Sequence, residues 1–214
     1  MLIIMGNPDP VQTELTDPRA MRALAHPLRL VLLRMLSEGG PATATQLATQ
    51  AGVSVASAGY HLGQLAKYGF TEDASPGRKG RERPWRARVQ GVRWAAGSGD
   101  PAFAAASRLL RGELIDHALS ALSAYHRTEQ QYPAEWQEAA YVLADAAHLT
   151  AEELREINAE LSRLFARYRG RPADSRPPGA VPVRLFGFGV PEAMPPASTL
   201  EESHDDDSRD ITSA

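Results

Sequence analysis

A dense group of positive charges lies in the first half of the chain, around a Pro-Gly turn. Between Ser75 and Val89 the 214-residue sequence has six basic residues and a single acid, Glu82. The basic residues are Arg78, Lys79, Arg81, Arg83, Arg86 and Arg88. A hairpin with this charge density is suited to contact phosphate groups. The alternative is a solvated hairpin whose charges serve only solubility.

A polar helix face lies just before this hairpin. Ser54 is suited to cap a helix over about 55–68, which Gly69 ends. Helical periodicity places Ala58, Leu62 and Leu65 on one inward side. The opposite side carries hydroxyl, phenol and amide groups, which can form hydrogen bonds to base edges and phosphates in a DNA major groove. With Thr43 upstream, the candidate DNA-binding residues of this region are Thr43, Ser54, Ala56, Ser57, Tyr60, His61, Gln64 and Lys67. His61 lies on the flank of this face, where it contacts DNA or is satisfied by a neighbouring group.

A short capped helix precedes the Ser54 helix. Thr43 and Gln46 have the spacing of a capping box, which predicts a helix over 44–50. Gly52 lies in the turn that follows it. Two helices joined by a tight turn that contains glycine form a helix-turn-helix unit, and the sequence predicts such a unit here.

Other elements surround this unit. Residues 27–38 predict a helix that is apolar nearly all round, so it belongs at the centre of a bundle. The remaining elements predicted before residue 98 are a helix at 18–25 and strands at 70–73, 83–89 and 92–96. The apolar start Met1–Met5 is too short for a signal peptide, and we expect a frayed terminus within a flexible lead-in over 1–17.

A long helix rich in alanine and leucine is predicted over 100–127. It has apolar residues on more than one face, so it needs a partner beyond its own domain. We expect this helix to form most of a dimer interface. The candidate dimerisation residues are Phe103, Leu110, Leu114 and Ala121.

The rest of the second half gives weaker patterns. Thr150 and Glu153 have capping-box spacing and begin an amphipathic helix. Residues 181–188 predict a strand, whereas 140–148 fit a strand or a helix about equally. The abundance of Pro, Ser, Glu and Asp in 191–214 predicts a disordered acidic tail.

Composition and charge limit the class of protein. The chain has no cysteine, which excludes disulfides and thiolate metal sites, and it has no apolar run of the ~20 residues that a membrane helix needs. We therefore expect a cytoplasmic protein without a membrane partner. The net charge is +5 over 1–97, −4 over 98–170 and −4 over 171–214. This asymmetry indicates that only the first part faces phosphates.

Three stretches of the first part together resemble a known family. They are Leu24-Ala-His-Pro-Leu-Arg-Leu30, Gln46-Leu-Ala48, and Val53-Ser54 through His61-Leu62 and Leu65 to Gly69-Phe70. Together they resemble the ArsR-like family of bacterial winged helix-turn-helix regulators, over roughly residues 18–89. The resemblance implies a dimer on a near-palindromic operator, with recognition helices in successive major grooves and wings along the backbone.

The chain departs from the family pattern inside the Ser54 helix. Gly59 stands where the family often has serine, and Tyr60 and Gly63 stand where it often has basic residues. A glycine inside a helix costs about 0.5–1 kcal/mol relative to alanine. Either the glycines admit a neighbouring helix or DNA, or the helix becomes ordered only on binding.

The sequence contains few residues in the spacing of a metal site or a catalytic site. Asp116, His117, His126 and Glu129 faintly resemble the zinc sites of some ArsR-like sensors, but one helix turns His117 and His126 to opposite faces. Only a site that bridges two subunits stays open, so we expect no metal and no cofactor. The sequence has no Gly-rich phosphate loop, nucleophile elbow or metalloprotease helix, so we expect no enzyme.

The sequence thus predicts a mainly α protein with a small β-wing (α+β). Residues 18–97 form a winged helix-turn-helix domain and 98–190 a dimerisation and candidate effector region. Trp136, Tyr141 and Phe165 there either line a small-molecule pocket or belong to the core. The predicted function is a homodimeric transcription regulator that binds double-stranded DNA, with an unidentified small-molecule effector as a further candidate partner. The alternative is a winged-helix adaptor that binds proteins.

Overall fold

A computed structural model of the chain describes residues 2–5, 13–75, 83–89, 91–95, 99–168, 171 and 173–193. The helices are α1 (Pro18–Leu24), α2 (Pro27–Gly39), α3 (Ala44–Ala51), α4 (Val55–Lys67), α5 (Pro101–Thr128), α6 (Ala134–Ala139) and α7 (Ala151–Ala166). The strands are β1 (Leu2–Met5), β2 (Thr13–Glu14), β3 (Ala42–Thr43), β4 (Thr71–Asp73), β5 (Pro84–Ala87) and β6 (Gly91–Trp94). This is the predicted mainly α fold with a few short strands. Among the described residues, no helix is both long and apolar enough to cross a membrane.

Local capping sets the start of each helix in the first half. The Asp17 side chain accepts the Arg19 amide hydrogen at 2.8 Å, and Pro18 follows as the first residue of α1. Thr43 and Gln46 complete the predicted capping box of α3, and the Ser54 side chain caps α4. Because these caps depend only on residues two or three apart, the four predicted helices of this region are confirmed to within about two residues.

The apolar helix α2 lies at the centre of the first half, as predicted. Leu32 and Leu33 of α2 are fully buried, together with Leu47 of α3 and Leu62 and Leu65 of α4. Gly52 has a φ of +67° in the turn between α3 and α4. Glycine reaches this left-handed conformation without the steric cost that a Cβ would add, so the turn can be tight.

Two separate sheets flank the helices. The antiparallel sheet has the order β3–β5–β4, with Ala42 opposite Trp85 and Thr71 opposite Ala87. The parallel sheet has the order β1–β6–β2. Leu2–Met5 pairs with Gly91–Trp94 in that sheet, so the expectation of a frayed terminus in a flexible lead-in is wrong for β1 and β2. Pairing across some 90 residues leaves no local pattern in the sequence, which is why it was not predicted.

The start of α5 packs on α1 and closes the core of the same chain. Phe103, Ala106 and Leu110 are buried in the cluster that contains Met21 and Leu24. Farther along α5, the apolar side chains of Ile115, Leu119 and Leu122 are exposed. The helix therefore changes from a core element to a surface element along its length.

The second half differs from the prediction in two places. Residues 140–148 form neither a helix nor a strand, and 181–188 form no strand. The segment at 187–189 instead runs close to α7. A Cβ added at Gly187 would lie 3.3 Å from Leu161 Cδ1 of that helix. The backbone of this segment therefore lies against α7 and pairs with no strand among the described residues. No residue of α7 is buried, although its predicted capping box at Thr150 is present.

A buried hydrogen bond joins β6 to α5, and it gives a test of the fold. Trp94 Nε1 donates to Ser107 Oγ at 2.8 Å, and both side chains are 2% exposed. Ser107→Ala should lower the free energy of unfolding by about 1–3 kcal/mol, because the indole N–H is left without an acceptor in a dry site. Denaturant unfolding measures the change. The matched control Ser120→Ala, on the exposed side of α5, should cost less than about 0.5 kcal/mol, and equal costs for the two variants would contradict the packing of β6 on α5.

Candidate nucleic-acid interface

The orientation of α4 follows from its buried side. Ala58, Leu62 and Leu65 are 0% exposed, in agreement with the predicted inward face. Tyr60 stands on the outer side and is 63% exposed. Around it the candidate side chains at 54, 56 and 67 are exposed and those at 43, 57 and 64 are half-buried. One outer surface of the helix-turn-helix unit therefore carries hydroxyl, phenol, amide and ammonium groups.

Two candidate hydroxyl groups also hold the helix starts. Ser54 Oγ accepts the Ser57 amide hydrogen at 3.1 Å, and Thr43 Oγ1 accepts the Gln46 amide hydrogen at 3.2 Å. Each hydroxyl keeps its own hydrogen as a donor, since capping uses only the oxygen lone pairs. Both hydroxyls can therefore donate to a phosphate without giving up the cap.

His61 is half-buried at the edge of this surface, next to a residue that the sequence pattern did not single out. Its ring centroid lies 4.4 Å from that of His26, and the Tyr60 ring meets it edge-on at 5.1 Å. His61 Nδ1 is buried and has no hydrogen-bond partner among the described residues. His26 is therefore a ring neighbour of His61 on the flank of α4, and a contact of His61 with DNA stays a prediction.

Burial and positive charge disfavour protonation at this edge. The pKa of His26 is lowered below its ordinary value of 6.5, first by burial and then by Arg29, while Glu113 opposes the change. The pKa of His61 is lowered by burial, by His26 and by Arg29. Burial also lowers the pKa of the Arg29 guanidinium. Each of the causes that lower these pKa values favours the neutral form of the two imidazoles.

The described part of the wing has its cations paired with acids of β4. Arg86 Nη2 lies 2.6 Å and Arg88 Nε 3.4 Å from carboxylate oxygens of Glu72. Arg83 Nη1 lies 3.5 Å from Asp73 Oδ2, and its side chain is 64% exposed. Such exposed pairs are weak, about 0–1 kcal/mol, so a phosphate can replace the carboxylate. The predicted phosphate-contact residues Arg78, Lys79 and Arg81 lie outside the described residues.

The two unusual glycines of α4 have open space beside them. A Cβ added at Gly59 or Gly63 would meet no atom within 4 Å outside its own helix. Close approach of a neighbouring helix within the chain therefore does not explain them. The helix α4 nevertheless runs unbroken from Val55 to Lys67. Of the explanations considered, approach of a partner such as DNA and ordering on binding remain.

The candidate dimerisation residues divide between core and surface. Phe103 and Leu110 lie in the core of the chain itself, and Leu114 is partly buried against that core. Ala121 is partly exposed. Because a buried side chain cannot also contact a second copy, the predicted contact through Phe103 and Leu110 needs correction. The exposed apolar residues of α5 are the better candidates.

The faint metal candidates have other neighbours. His117 Nε2 lies 3.0 Å from Arg184 Nη1, and His126 Nδ1 lies 3.4 Å from Glu129 Oε2. Within the described ranges no three His, Asp or Glu side chains come close enough to hold a metal ion. The contact with Arg184, a cation, is unfavourable for a metal at His117.

The three aromatic residues considered for an effector pocket lie near the surface. Tyr141 is 61% exposed, and Trp136 and Phe165 are partly exposed. They do not belong to the buried core of the described residues. The sequence alone did not separate these outcomes, because an aromatic residue at helical spacing looks the same in each.

Sequence reasoning missed three residues that shape the site: His26, Arg29 and Glu72. The first had a usable pattern, since a histidine directly before a proline at a helix start is placed to cap that helix. Arg29 acts on His61, and Glu72 on Arg86 and Arg88, through contacts between different helices or strands. The positions of Arg29 and Glu72 in the sequence do not predict those contacts.

Comparisons with known proteins agree with the geometry of the first half. Residues 24–73 match the model of a family described as helix-turn-helix domain, which is less than half of the chain. No curated protein sequence gives a significant match.

Several solved structures are similar to the chain. One is the solution structure of the homodimeric winged helix-turn-helix DNA-binding domain of Mb0332 from Mycobacterium bovis, a possible ArsR-family transcriptional regulator. It has 21% identity and a TM-score of 0.30, and the match covers 50% of this chain and 78% of that one. Another is ZitR of Lactococcus lactis in complex with DNA, with 16% identity, a TM-score of 0.27 and coverage of 69% and 75%. A third is the MarR-family protein Rv2887 of Mycobacterium tuberculosis with salicylic acid, with 20% identity, a TM-score of 0.28 and coverage of 69% and 85%.

The family match and the fold lead to one conclusion about the first half. The matched segment contains α2, α3, the turn at Gly52 and α4, and the strands β4 and β5 of the antiparallel sheet follow α4. Helix, turn and helix followed by a β-hairpin is the winged helix-turn-helix arrangement. The first half of this chain contains a winged helix-turn-helix domain.

Proposed function

We propose that the protein is a transcription regulator that binds a specific sequence of double-stranded DNA as a homodimer. The observation that carries the proposal is the outer surface of α4, where an exposed tyrosine stands among hydroxyl, amide and ammonium groups. The winged helix-turn-helix domain lies within residues 18–97. Domains of this architecture place their second helix in the major groove.

Base contacts are proposed for the outer residues of α4. Tyr60 carries a phenol group, and Gln64, four residues later, lies on the same side of the helix. A glutamine side chain can form two hydrogen bonds with adenine, and a phenol can donate to or accept from a base edge. Ser54, Ser57 and Thr43 are proposed to contact phosphates and so to fix the register of the helix.

Phosphate contacts are proposed for the wing. Its paired arginines Arg86 and Arg88 share the single carboxylate of Glu72. Arg78, Lys79, Arg81 and Arg83 lie nearer the turn in the sequence, with Glu82 as the acid among them, and Arg83 forms a weak, exposed pair with Asp73 at 3.5 Å. We therefore propose that these four add affinity without selecting a sequence.

The dimer contact is proposed for the distal half of α5. Leu119 is 53% and Leu122 43% exposed, and Ile115 lies on the same stripe at helical spacing. A row of exposed leucines and isoleucines on a long helix favours contact with a second copy. Two copies would present two α4 helices to two half-sites of a near-palindromic operator.

The first test concerns the base contacts. Tyr60→Ala or Gln64→Ala should weaken binding to a duplex selected by the purified protein from genomic fragments by roughly 1–3 kcal/mol, and should leave binding to random duplex nearly unchanged. Fluorescence anisotropy measures both affinities. Tyr141→Ala is the matched control, because Tyr141 is similarly exposed at 61% but lies outside the winged domain. Equal losses on both duplexes would show that this face does not contact bases.

The second test concerns the wing. Replacing Arg78, Lys79, Arg81 and Arg83 together by alanine should flatten the slope of log K against log salt, by about 0.9 for each phosphate group that the variant no longer neutralises. The Arg86→Ala/Arg88→Ala variant should change the slope less, because both side chains are paired with Glu72. An unchanged slope in the quadruple variant would rule out the phosphate role and favour the adaptor alternative.

The third test concerns assembly. Leu119→Glu/Leu122→Glu should convert the dimer to a monomer and weaken operator binding, because like charges would face each other across the interface. Sedimentation equilibrium at micromolar concentration measures the mass. Ser120→Glu/Ser123→Glu adds the same charge on a neighbouring side of α5 and should leave the dimer intact. A monomeric unaltered chain at that concentration would contradict the proposed dimer.

A further inference from the structure

Two histidine rings from different parts of the fold meet at one edge of α4. His26 comes directly before α2, and His61 lies in α4 beside the exposed Tyr60. The centroids of the histidine rings are 4.4 Å apart with an interplanar angle of 43°, and the Tyr60 ring packs edge-on against His61. The contact therefore connects the start of α2 to the side chain that we propose to contact bases.

His26 can cap α2 only while its Nδ1 carries no proton. Nδ1 accepts the Leu28 amide hydrogen at 3.2 Å and caps α2. Pro27 has no amide hydrogen, so Leu28 supplies the first backbone N–H of the helix. A protonated Nδ1 is a donor that faces another donor, at the positive end of the helix dipole. Protonation of Nδ1 therefore breaks the cap.

His61 is equally unsuited to carry a charge. Its Nδ1 is buried without a hydrogen-bond partner in the described part of the chain. The titratable and charged groups that face the pair come from three helices, and they are Arg29 in α2, Tyr60 in α4 and Glu113 in α5. Glu113 favours a proton on His26, but burial and Arg29 outweigh it and lower the pKa of His26, as they lower that of His61.

We propose that His26 and His61 are positioning residues, whose contact orients Tyr60 while both rings are neutral and is released when either ring takes up a proton. Acidification would then separate the α2 cap from α4 and reduce discrimination between DNA sequences. The inference rests on the proposed function of α4 in DNA binding. This positioning role differs from a direct contact of His61 with DNA.

The sign of the pH dependence separates these two roles. A phosphate next to His61 would stabilise the protonated ring, so DNA affinity would rise as the pH falls. If the bound state instead needs two neutral rings, affinity falls as the pH falls through the lowered pKa values. The stability of the fold depends on pH in the same direction. The contribution of the histidine pair to the free energy of unfolding is fully present above about pH 6.5 and is lost as the pH falls through the lowered pKa values of the two rings.

The test uses the full chain, a duplex selected by the protein and a scrambled duplex, at several pH values between about 7.5 and 5.0 and constant ionic strength. The ratio of the two affinities should fall, by about tenfold for each pH unit below the lowered pKa of the pair. His61→Phe keeps a ring at this position and leaves His26 as the one titrating ring of the pair. Its ratio should therefore match that of the unaltered chain at about pH 7.5 and fall by a smaller factor on acidification. Circular dichroism at each pH checks that the variant is folded.

Two further variants sharpen the result. His26→Asn keeps a capping acceptor for Leu28 but removes the ring, so it should discriminate less already at about pH 7.5 and lose the pH dependence. His126→Phe is the control, because His126 is an exposed histidine of α5 far along the chain from the pair. It should retain the full pH dependence of the unaltered chain. An affinity that rises on acidification, or a profile that His61→Phe does not change, would overturn the proposal.

A readout without DNA keeps this inference separate from the proposed function. NMR titration of the imidazole resonances should give pKa values below 6.5 for both rings, and His26→Asn should raise the pKa of His61, because one of the causes that lower it is removed. Ordinary and independent pKa values would contradict the coupled pair, whatever DNA does. Coupled rings in a protein that prefers no DNA sequence would instead contradict the proposed function.

Discussion

The burial of one side of α4 is the constraint on which the rest of the domain depends. Ala58, Leu62 and Leu65 fill the space between α2 and α3 without exposed surface. Removing most of a buried leucine side chain costs about 2–5 kcal/mol, so rotation of the helix is unfavourable by a large margin. With the inner side fixed, helical periodicity leaves Tyr60 no direction except outward. The exposure of this surface is thus a consequence of core packing.

The end of α4 also sets the position of the wing. Gly69 has a φ of +77°, and the Phe70 amide donates back to the Leu65 carbonyl oxygen at 3.0 Å. Thr71, the first residue of β4, is buried and donates from Oγ1 to the Leu62 carbonyl oxygen at 3.1 Å. The first strand of the wing is therefore hydrogen-bonded directly to the two leucines that anchor the helix, which sets the position of β4 relative to α4.

The sequence predicted what depends on near neighbours along the chain. The caps at Thr43, Ser54 and Thr150 and the inward stripe of α4 follow from spacings of two to four residues, and the structure has them all. It did not predict the β1–β6 pairing or the His26–His61 contact, because long-range contacts leave no periodic pattern. The strand expected at 181–188 failed for a related reason: alternation specifies a surface with two sides, not the presence of a partner strand.

If the outer side of α4 and the wing form one DNA-binding surface, amide chemical-shift mapping is the most direct test of it. Titration of the labelled full chain with a selected duplex should shift the amides of the first two turns of α4 and of the wing strands β4 and β5. The amide chemical shifts of α7, which belongs to the acidic half of the chain, should not change. Shifts confined to α7 or to the distal half of α5, with α4 unaffected, would contradict a DNA-binding surface on α4 and the wing.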